Sequence, residues 1–312
     1  MTATIIIPVY NRSGLVLRCL DSIRAQTFRP LRVVVVDNAS SDNTPEVISR
    51  WATHARTPDF SVTLLSEPRR GAAIARQTGF EASDSDVVFF FDSDDTMEPT
   101  LVATVMEKFA ARPEAEMVGW PVRMHAIGGA VQVTHGLTGD RMTGHLIHGV
   151  LRTQGYAVKS DFFRRHGGWH PEMTGWDDWE LGVRLLLGRP RLIPLREAPV
   201  DVYCRPDSIT GTDFSSKEGE WEKAIDAVEA SITSSDMAGK ERDRLLRIVE
   251  YRRVILAAYY HREGNGRACD SLLWEVRKSG VLKRRHHLFL NFALRYTSLG
   301  LRGMGRLAPL FL

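Results

Sequence analysis

An α/β fold is predicted for this chain: a mixed, mainly parallel sheet with helices on both faces, followed by a C-terminal helical extension. Three observations carry that expectation. Up to about residue 120, short β-branched or aromatic runs alternate with helical patterns. Those runs are continuously apolar, and a strand without a polar face is buried on both sides, as in a parallel sheet. Beyond Lys217 the pattern is helical throughout.

In chain order, strands are expected at 5–9 (IIIPV), 33–36 (VVVV), 62–65 (VTLL), 87–91 (VVFFF) and 117–120 (MVGW). The first intervening helix sets Val16, Cys19, Leu20 and Ile23 on one face. The second opens at Asn43 or Thr44, with Pro45 at its first position, and buries Val47, Ile48, Trp51 and Ala55. A period-two pattern over 122–134 surrounds Gly128 and Gly129 and predicts a hairpin whose turn needs positive φ, with the sheet becoming mixed there. The stretch 136–149 (GLTGDRMTGHLIHG) reads as a mobile loop running into a helix, and 156–159 returns as a strand. Another helix begins near Asp177 and carries Leu181, Leu185 and Leu186. The helical region is expected to comprise segments at 218–234, 239–262, 267–279 and 284–299.

The 312 residues are 43% hydrophobic and 25% charged, ordinary for a soluble globular enzyme. Three cysteines without paired spacing fit a reduced, cytoplasmic setting better than a disulfide framework. The opening MTATIIIPVY lacks a basic n-region and a small-residue cleavage site, so it reads as a first strand and not a signal peptide. The net charge of +3 hides an asymmetry: residues 240–312 carry 16 Lys/Arg against 6 Asp/Glu, and the rest carries 25 against 32.

In an open parallel sheet, ligands sit beyond the carboxyl ends of the strands. Here those ends are polar: Tyr10, Asn11 and Arg12; Asp37, Asn38 and Ser40; Arg69, Arg70 and Gly71; and the DSDD of Asp92, Ser93, Asp94 and Asp95. Crowded carboxylates raise one another's pKa unless a positive charge sits among them. Asp92 and Asp94, one residue apart, can face the same side of an extended segment and offer oxygen ligands to Mg²⁺ or Mn²⁺, with a diphosphate completing the coordination. The alternatives are that Ser93–Thr96 caps the helix starting near Pro99, and that Asp37 is a turn residue before SSDNT. No Gly-x-Gly-x-x-Gly follows the first strand and no GK[ST] occurs, which argues against a dinucleotide dehydrogenase or a P-loop NTPase.

Five ordered segments, TIIIPVYNR, VVVVDNASSDNT, RRGAAIARQTGF, FFFDSDD and GWDDWELGVRLLLG, resemble family 2 glycosyltransferases of the GT-A fold over roughly residues 3–210. The resemblance implies a nucleotide-sugar donor, an aspartate-based metal motif and inversion by direct displacement. It implies that Pro8, Tyr10 and Asn11 border the nucleotide and that Asp37 hydrogen-bonds the base. Arg76 would lie near the diphosphate or sugar, and Asp92, Ser93 and Asp94 would serve ribose, metal and diphosphate. Asp92 and Asp94 are the metal candidates, and whether Asp92, Asp94 or Asp95 bonds the ion directly stays open.

Asp177 and Asp178 match the family's Glu-Asp pair, with Asp178 at the position of the catalytic base; the first member is shortened from Glu. An inverting transfer needs one carboxylate to take the acceptor's proton while a metal stabilises the departing diphosphate. The helix N-terminus at Asp178 is expected to favour the ionised form, although a first-turn acid can also be a simple cap. Glu180 and Arg184 are spaced to pair on the helix. Trp169, Trp176 and Trp179 bracket the base, and Trp176, Asp177 and Trp179 are acceptor candidates, plain core packing being the alternative for the tryptophans. His145 and His148 share a face and are not assigned a metal. The segment 203–210 (YCRPDSIT) resembles the one in which a basic residue closes over the diphosphate, and Arg205 is the candidate.

The expected division is a catalytic domain at 1–215, with a nucleotide-binding half at 1–120 and an acceptor half at 121–215, and a helical region at 216–312. From Arg277 the chain has eight Lys/Arg and no Asp/Glu, interleaved with Leu288, Phe289, Leu290, Phe292, Leu294 and Tyr296. This mixture suits peripheral contact with an anionic membrane; a helix packed on the body with a solvated basic face is the other reading. No run reaches the roughly 18 apolar residues of a membrane span, and no nucleic-acid motif accompanies the charge. The expected activity is metal-dependent transfer from a UDP-sugar to a glycan or lipid-linked saccharide, in the cytoplasm or at the inner membrane face. The alternatives are a sugar-phosphate nucleotidyltransferase, whose glycine-rich signature IIIPVYNRSG lacks, and a non-enzymatic membrane-binding module.

Overall fold

The computed structural model describes residues 1–205 and 213–312. Its first part runs β1 (Ala3–Val9), α1 (Val16–Arg24), β2 (Leu31–Asp37), α2 (Thr44–Ala55), β3 (Phe60–Ser66), α3 (Ala72–Glu81), β4 (Val87–Phe90), β5 (Thr96–Met97), α4 (Leu101–Ala111) and β6 (Met117–Gly119). There follow β7 (Arg123–His125), β8 (Val131–Val133), α5 (Arg141–His148), β9 (Tyr156–Lys159), α6 (Ser160–Arg165), α7 (Asp177–Leu187), β10 (Leu192–Pro194) and β11 (Val200–Tyr203). The remainder is helical: α8 (Glu220–Thr233), α9 (Gly239–Arg262), α10 (Gly266–Lys278), α11 (Arg284–Ser298) and the short α12 (Ala308–Phe311).

Seven strands form the central sheet in the order β10-β6-β9-β4-β1-β2-β3. Its pairings are parallel except those of β9, which runs antiparallel to both β4 and β6. Both faces are covered. Ile5, Ile7 and Val9 meet Val16, Leu20, Ile48 and Val102, whereas Ile6 meets Ala75 and Phe80 with Leu181 and Leu185 beyond. The continuously apolar runs follow from this double burial. Helix α3 approaches the sheet so closely that a Cβ on Gly79 would fall 2.5 Å from Ile6 Cγ2, and only glycine fits there.

Two local expectations are corrected. The 122–134 hairpin forms, with Gly129 at φ 83°, but β7 and β8 belong to a separate four-stranded sheet, β5-β11-β7-β8. Strand β8 exposes Val131 and Val133, which a central strand buried on both faces does not allow; the antiparallel member of the central sheet is β9. In α2, Ile48 and Ala55 are buried, but Val47 and Trp51 are only half-buried, and the Trp51 indole N–H donates to Asp21 Oδ1 at 2.8 Å.

Helices α8 to α11 surround a third core, which also takes in Leu146 of α5 and Trp176, Trp179 and Val183 at the start of α7. Going from β3 to β4, the chain crosses β1, so the strand order reverses between β1 and β4. Such a switch point opens a crevice at the carboxyl ends of the strands.

Candidate active site

A cavity of about 730 Å³ lies in that crevice, within the range of sites for small ligands. Pro8 and Tyr10 from the end of β1, Arg76 from α3, the acidic run after β4, and Trp176, Asp177 and Asp178 at the start of α7 all line it. Asn11, Asp37, Trp179 and Arg205 fall outside its lining.

At one end, Asn11 takes a left-handed backbone, φ 47°, and its Oδ1 accepts the Ser41 N–H at 2.8 Å. The Arg70 guanidinium stacks 3.1 Å from the centre of the Tyr10 ring. Asp37 is 7% exposed; its Oδ2 accepts the Ser40 N–H at 3.3 Å, while Oδ1 is buried with no partner among the described residues. A buried acceptor left unsatisfied is costly until a donor arrives.

The centre of the site is a set of carboxylates held by two side chains. Arg76, buried at 5% exposure, donates through Nη2 to Asp92 Oδ1 and through Nη1 to Asp177 Oδ2, both at 2.7 Å. Burial opposes its charge, but Asp92 and Asp177 outweigh that and hold Arg76 above its ordinary pKa. Gln154 Nε2 donates to Asp92 Oδ2 at 2.5 Å and to Asp95 Oδ2 at 2.6 Å, and the Tyr203 N–H donates to Asp95 Oδ1 at 3.0 Å. Asp95 is buried and, like Asp92, engaged at both oxygens. Burial, then Asp92 and Asp94, push its pKa well up.

Asp94 differs. It faces the cavity, and its ion-pair partners among the described residues are Arg12 Nε at 3.8 Å and Arg205 Nε at 3.6 Å, beyond hydrogen-bond range. Burial and then Asp92 raise its pKa. A half-buried carboxylate without a short hydrogen bond, crowded by two others, is the donor set a hard divalent ion takes, so the residues fit Mg²⁺ or Mn²⁺. Among the described residues, no group of three His, Cys, Asp or Glu is arranged as a metal cage. Ser93 lines the cavity between the two aspartates.

Helix α7 starts from Trp176, which has a left-handed backbone, φ 50° and ψ 34°, and this turn delivers Asp177 and Asp178 to the cavity. Arg76 holds Asp177, whose pKa burial still raises. Asp178 makes no side-chain hydrogen bond among the described residues, and burial, then Asp177, push its pKa up to about 6 against the pull of Arg152 and Arg76. The expected helix-dipole depression is therefore outweighed, and the carboxyl sits in the range suited to proton transfer.

The acceptor candidates are corrected in part. Trp179 is 2% exposed and donates its indole N–H to Leu146 O at 3.2 Å, so its ring belongs to the core and offers no face to a ligand. Trp169 is likewise buried, beneath Arg76. Trp176 and Asp177 do reach the cavity. The Arg252 guanidinium from α9 lies 4.0 Å from the Trp176 ring and 5.1 Å from that of Trp179. His145 is a packing residue: Nε2 donates to Trp179 O at 2.8 Å, Nδ1 accepts the Leu151 N–H, and burial lowers its pKa to about 4. Of the 203–210 segment, residues 206–210 lie outside the described residues.

Sequence reasoning missed Gln154 and Arg152, which line the cavity from the turn before β9. Neither belongs to a local motif. Only the antiparallel insertion of β9 beside β4 brings them to the aspartates.

Residues 4–158 match the family model described as glycosyl transferase family 2. Among curated proteins, the chain is 33% identical over 105 residues to "Glycosyltransferase GlyA" of Streptococcus pneumoniae, a match covering 34% of this chain and 14% of that protein. An uncharacterized glycosyltransferase of Haemophilus influenzae is 25% identical over 233 residues, 72% of this chain and 75% of its own length. Among solved structures, S. aureus TarS 1-349 in complex with UDP-GlcNAc gives a TM-score of 0.74 at 15% identity, covering 99% of this chain and 90% of that one. The mannosyltransferase PcManGT from Pyrobaculum calidifontis, in complex with GDP-Man and Mn2+, gives 0.61 at 20% identity, covering 99% and 83%. At such identities the likeness is one of fold.

Proposed function

The chain belongs to glycosyl transferase family 2 through residues 4–158 and adopts the GT-A fold, and from that premise we propose that it moves a sugar from a nucleotide-sugar to an acceptor hydroxyl with inversion. The observation that carries the reading is Arg76, which ties Asp92 to Asp177, the neighbour of the base Asp178, so that the diphosphate corner and the start of α7 share one cavity. UDP is the favoured carrier. The lone buried Oδ1 of Asp37 suits the single imino N–H of uracil, whereas guanine presents further donors on that edge.

Asp94, with Asp92 beside it, would hold Mn²⁺ or Mg²⁺, which when bound neutralises the charge developing on the departing diphosphate. Pro8 and Tyr10 border the nucleoside. Arg12 and Arg205, both near Asp94, bring positive charge to the phosphates. Asp178 accepts the proton of the acceptor hydroxyl as that oxygen bonds to the anomeric carbon. The bond from that carbon to the phosphate oxygen breaks on the opposite face, and the nucleoside diphosphate leaves with the electron pair. The acceptor is a glycan or lipid-linked saccharide bordered by Trp176 and Asp177.

The test is Asp178→Asn. The amide keeps the size of the side chain but cannot take a proton, so transfer should fall by about 10²–10⁴-fold with UDP affinity nearly unchanged. Undiminished turnover would remove Asp178 from this role.

A further inference from the structure

Helix α11 has two apolar faces. The inner one, with His286, Phe289, Leu290, Ala293 and Thr297, is buried against α9 and its neighbours. A surface helix should turn a polar face outward. Here Arg284, Leu288, Phe292, Arg295 and Leu299 follow one another at spacings of four, four, three and four, and form one outward stripe. Leu288 is 66% exposed and Leu299 is 78% exposed. Helix α12 lies alongside, with Phe311 stacked on Phe289 at 5.0 Å and Leu310 pointing to solvent at 76% exposure.

Fourteen large apolar side chains are exposed among the described residues, and eight of them lie from Trp274 onward. The same stretch is the most one-sided in charge: from Arg277 there are eight Lys/Arg and no Asp/Glu. Exposed apolar side chains flanked by arginines, with no acid among them, match a surface that is apolar a few ångströms down and anionic on top. We propose that this face of α11 docks on an anionic lipid bilayer, with Leu288 and Phe292 entering the headgroup boundary and Arg284 and Arg295 meeting lipid phosphates. Among the described residues no helix is long and apolar enough to cross a membrane, so the contact is one of lying on the surface. The inference extends the reading of a lipid-linked acceptor, but it rests on different residues from those of the cavity, and the two can fail separately.

The full chain is sedimented with vesicles of phosphatidylcholine alone and of phosphatidylcholine with 30% phosphatidylglycerol, a mole fraction of about one third chosen to set a negative surface potential. Binding is expected at least about tenfold stronger to the anionic vesicles and weakened by salt. Leu288→Ser with Phe292→Ser should lower it about tenfold or more, while UDP binding, measured on the same preparation, stays as in the parent. Equal binding to both vesicle types, or none, overturns the proposal. So does a concentration-dependent dimer that the double variant dissolves, because the face would then join two copies; so does preferential retention on duplex DNA.

Discussion

Burial and the charge of Asp177 hold a proton on Asp178 up to about pH 6. A base must be deprotonated to act, so kcat/KM, which reports the free protein, should drop about tenfold per pH unit below 6 and level off above it; the pH–rate profile checks this, and Asp178→Asn should lack the limb. On stability the sign runs the other way. Between the ordinary value of 3.8 and about 6 the folded chain binds a proton the unfolded chain does not, so stability falls as pH rises through that window. Asp178→Asn should therefore gain roughly 1–2 kcal/mol at pH 8 in urea melts, part of the full linkage for a half-buried group. Asp94 carries the metal assignment: chelation with EDTA should weaken UDP binding about tenfold or more by calorimetry, and Asp94→Ala should reproduce the loss without added chelator. Equal UDP affinity with and without Mn²⁺ would remove the ion from the site.

Helix α7 is positioned from both ends of the sequence. Arg76 of α3 holds Asp177, and Arg252 of α9 lies against the rings of Trp176 and Trp179, its Nε sealed from solvent. Arg252→Ala should cost about 1–3 kcal/mol by loss of two cation–π contacts and their packing, and should lower kcat more than UDP affinity; thermal melts and kinetics separate the two effects. The elements themselves were largely readable. Continuous apolar runs and three-to-four spacing located the five early strands and the four long C-terminal helices with ends displaced by at most two residues. What was not readable depended on partners far along the chain: Gln154 meets Asp92 across 62 residues, and Arg252 meets Trp176 across a helix–helix contact. Trp179 was misassigned for a local reason. One residue beyond Asp178, it turns about 100° around the helix, away from the cavity and into the third core.

At the scale of the whole chain, the end of β4 and the start of α7 supply the carboxylates and the C-terminal helices pack behind α7, with Lys217 lining the cavity. Ordered motifs carried the fold and most candidate residues, because each sits at a strand end or helix start and so near its own sequence signal. Donor sugar and acceptor leave no such signal, since they are recognised by side chains gathered from separate elements. The central claim is that this one cavity transfers a glycosyl group with inversion. Proton NMR of the protein with Mn²⁺ and a panel of α-linked UDP- and GDP-sugars tests it most directly, by following the anomeric signal of the first sugar transferred or released. A β-anomer formed first, from a UDP-sugar, and absent with Asp178→Asn, is the predicted result; an α-anomer formed first, or turnover that Asp178→Asn leaves intact, would contradict it.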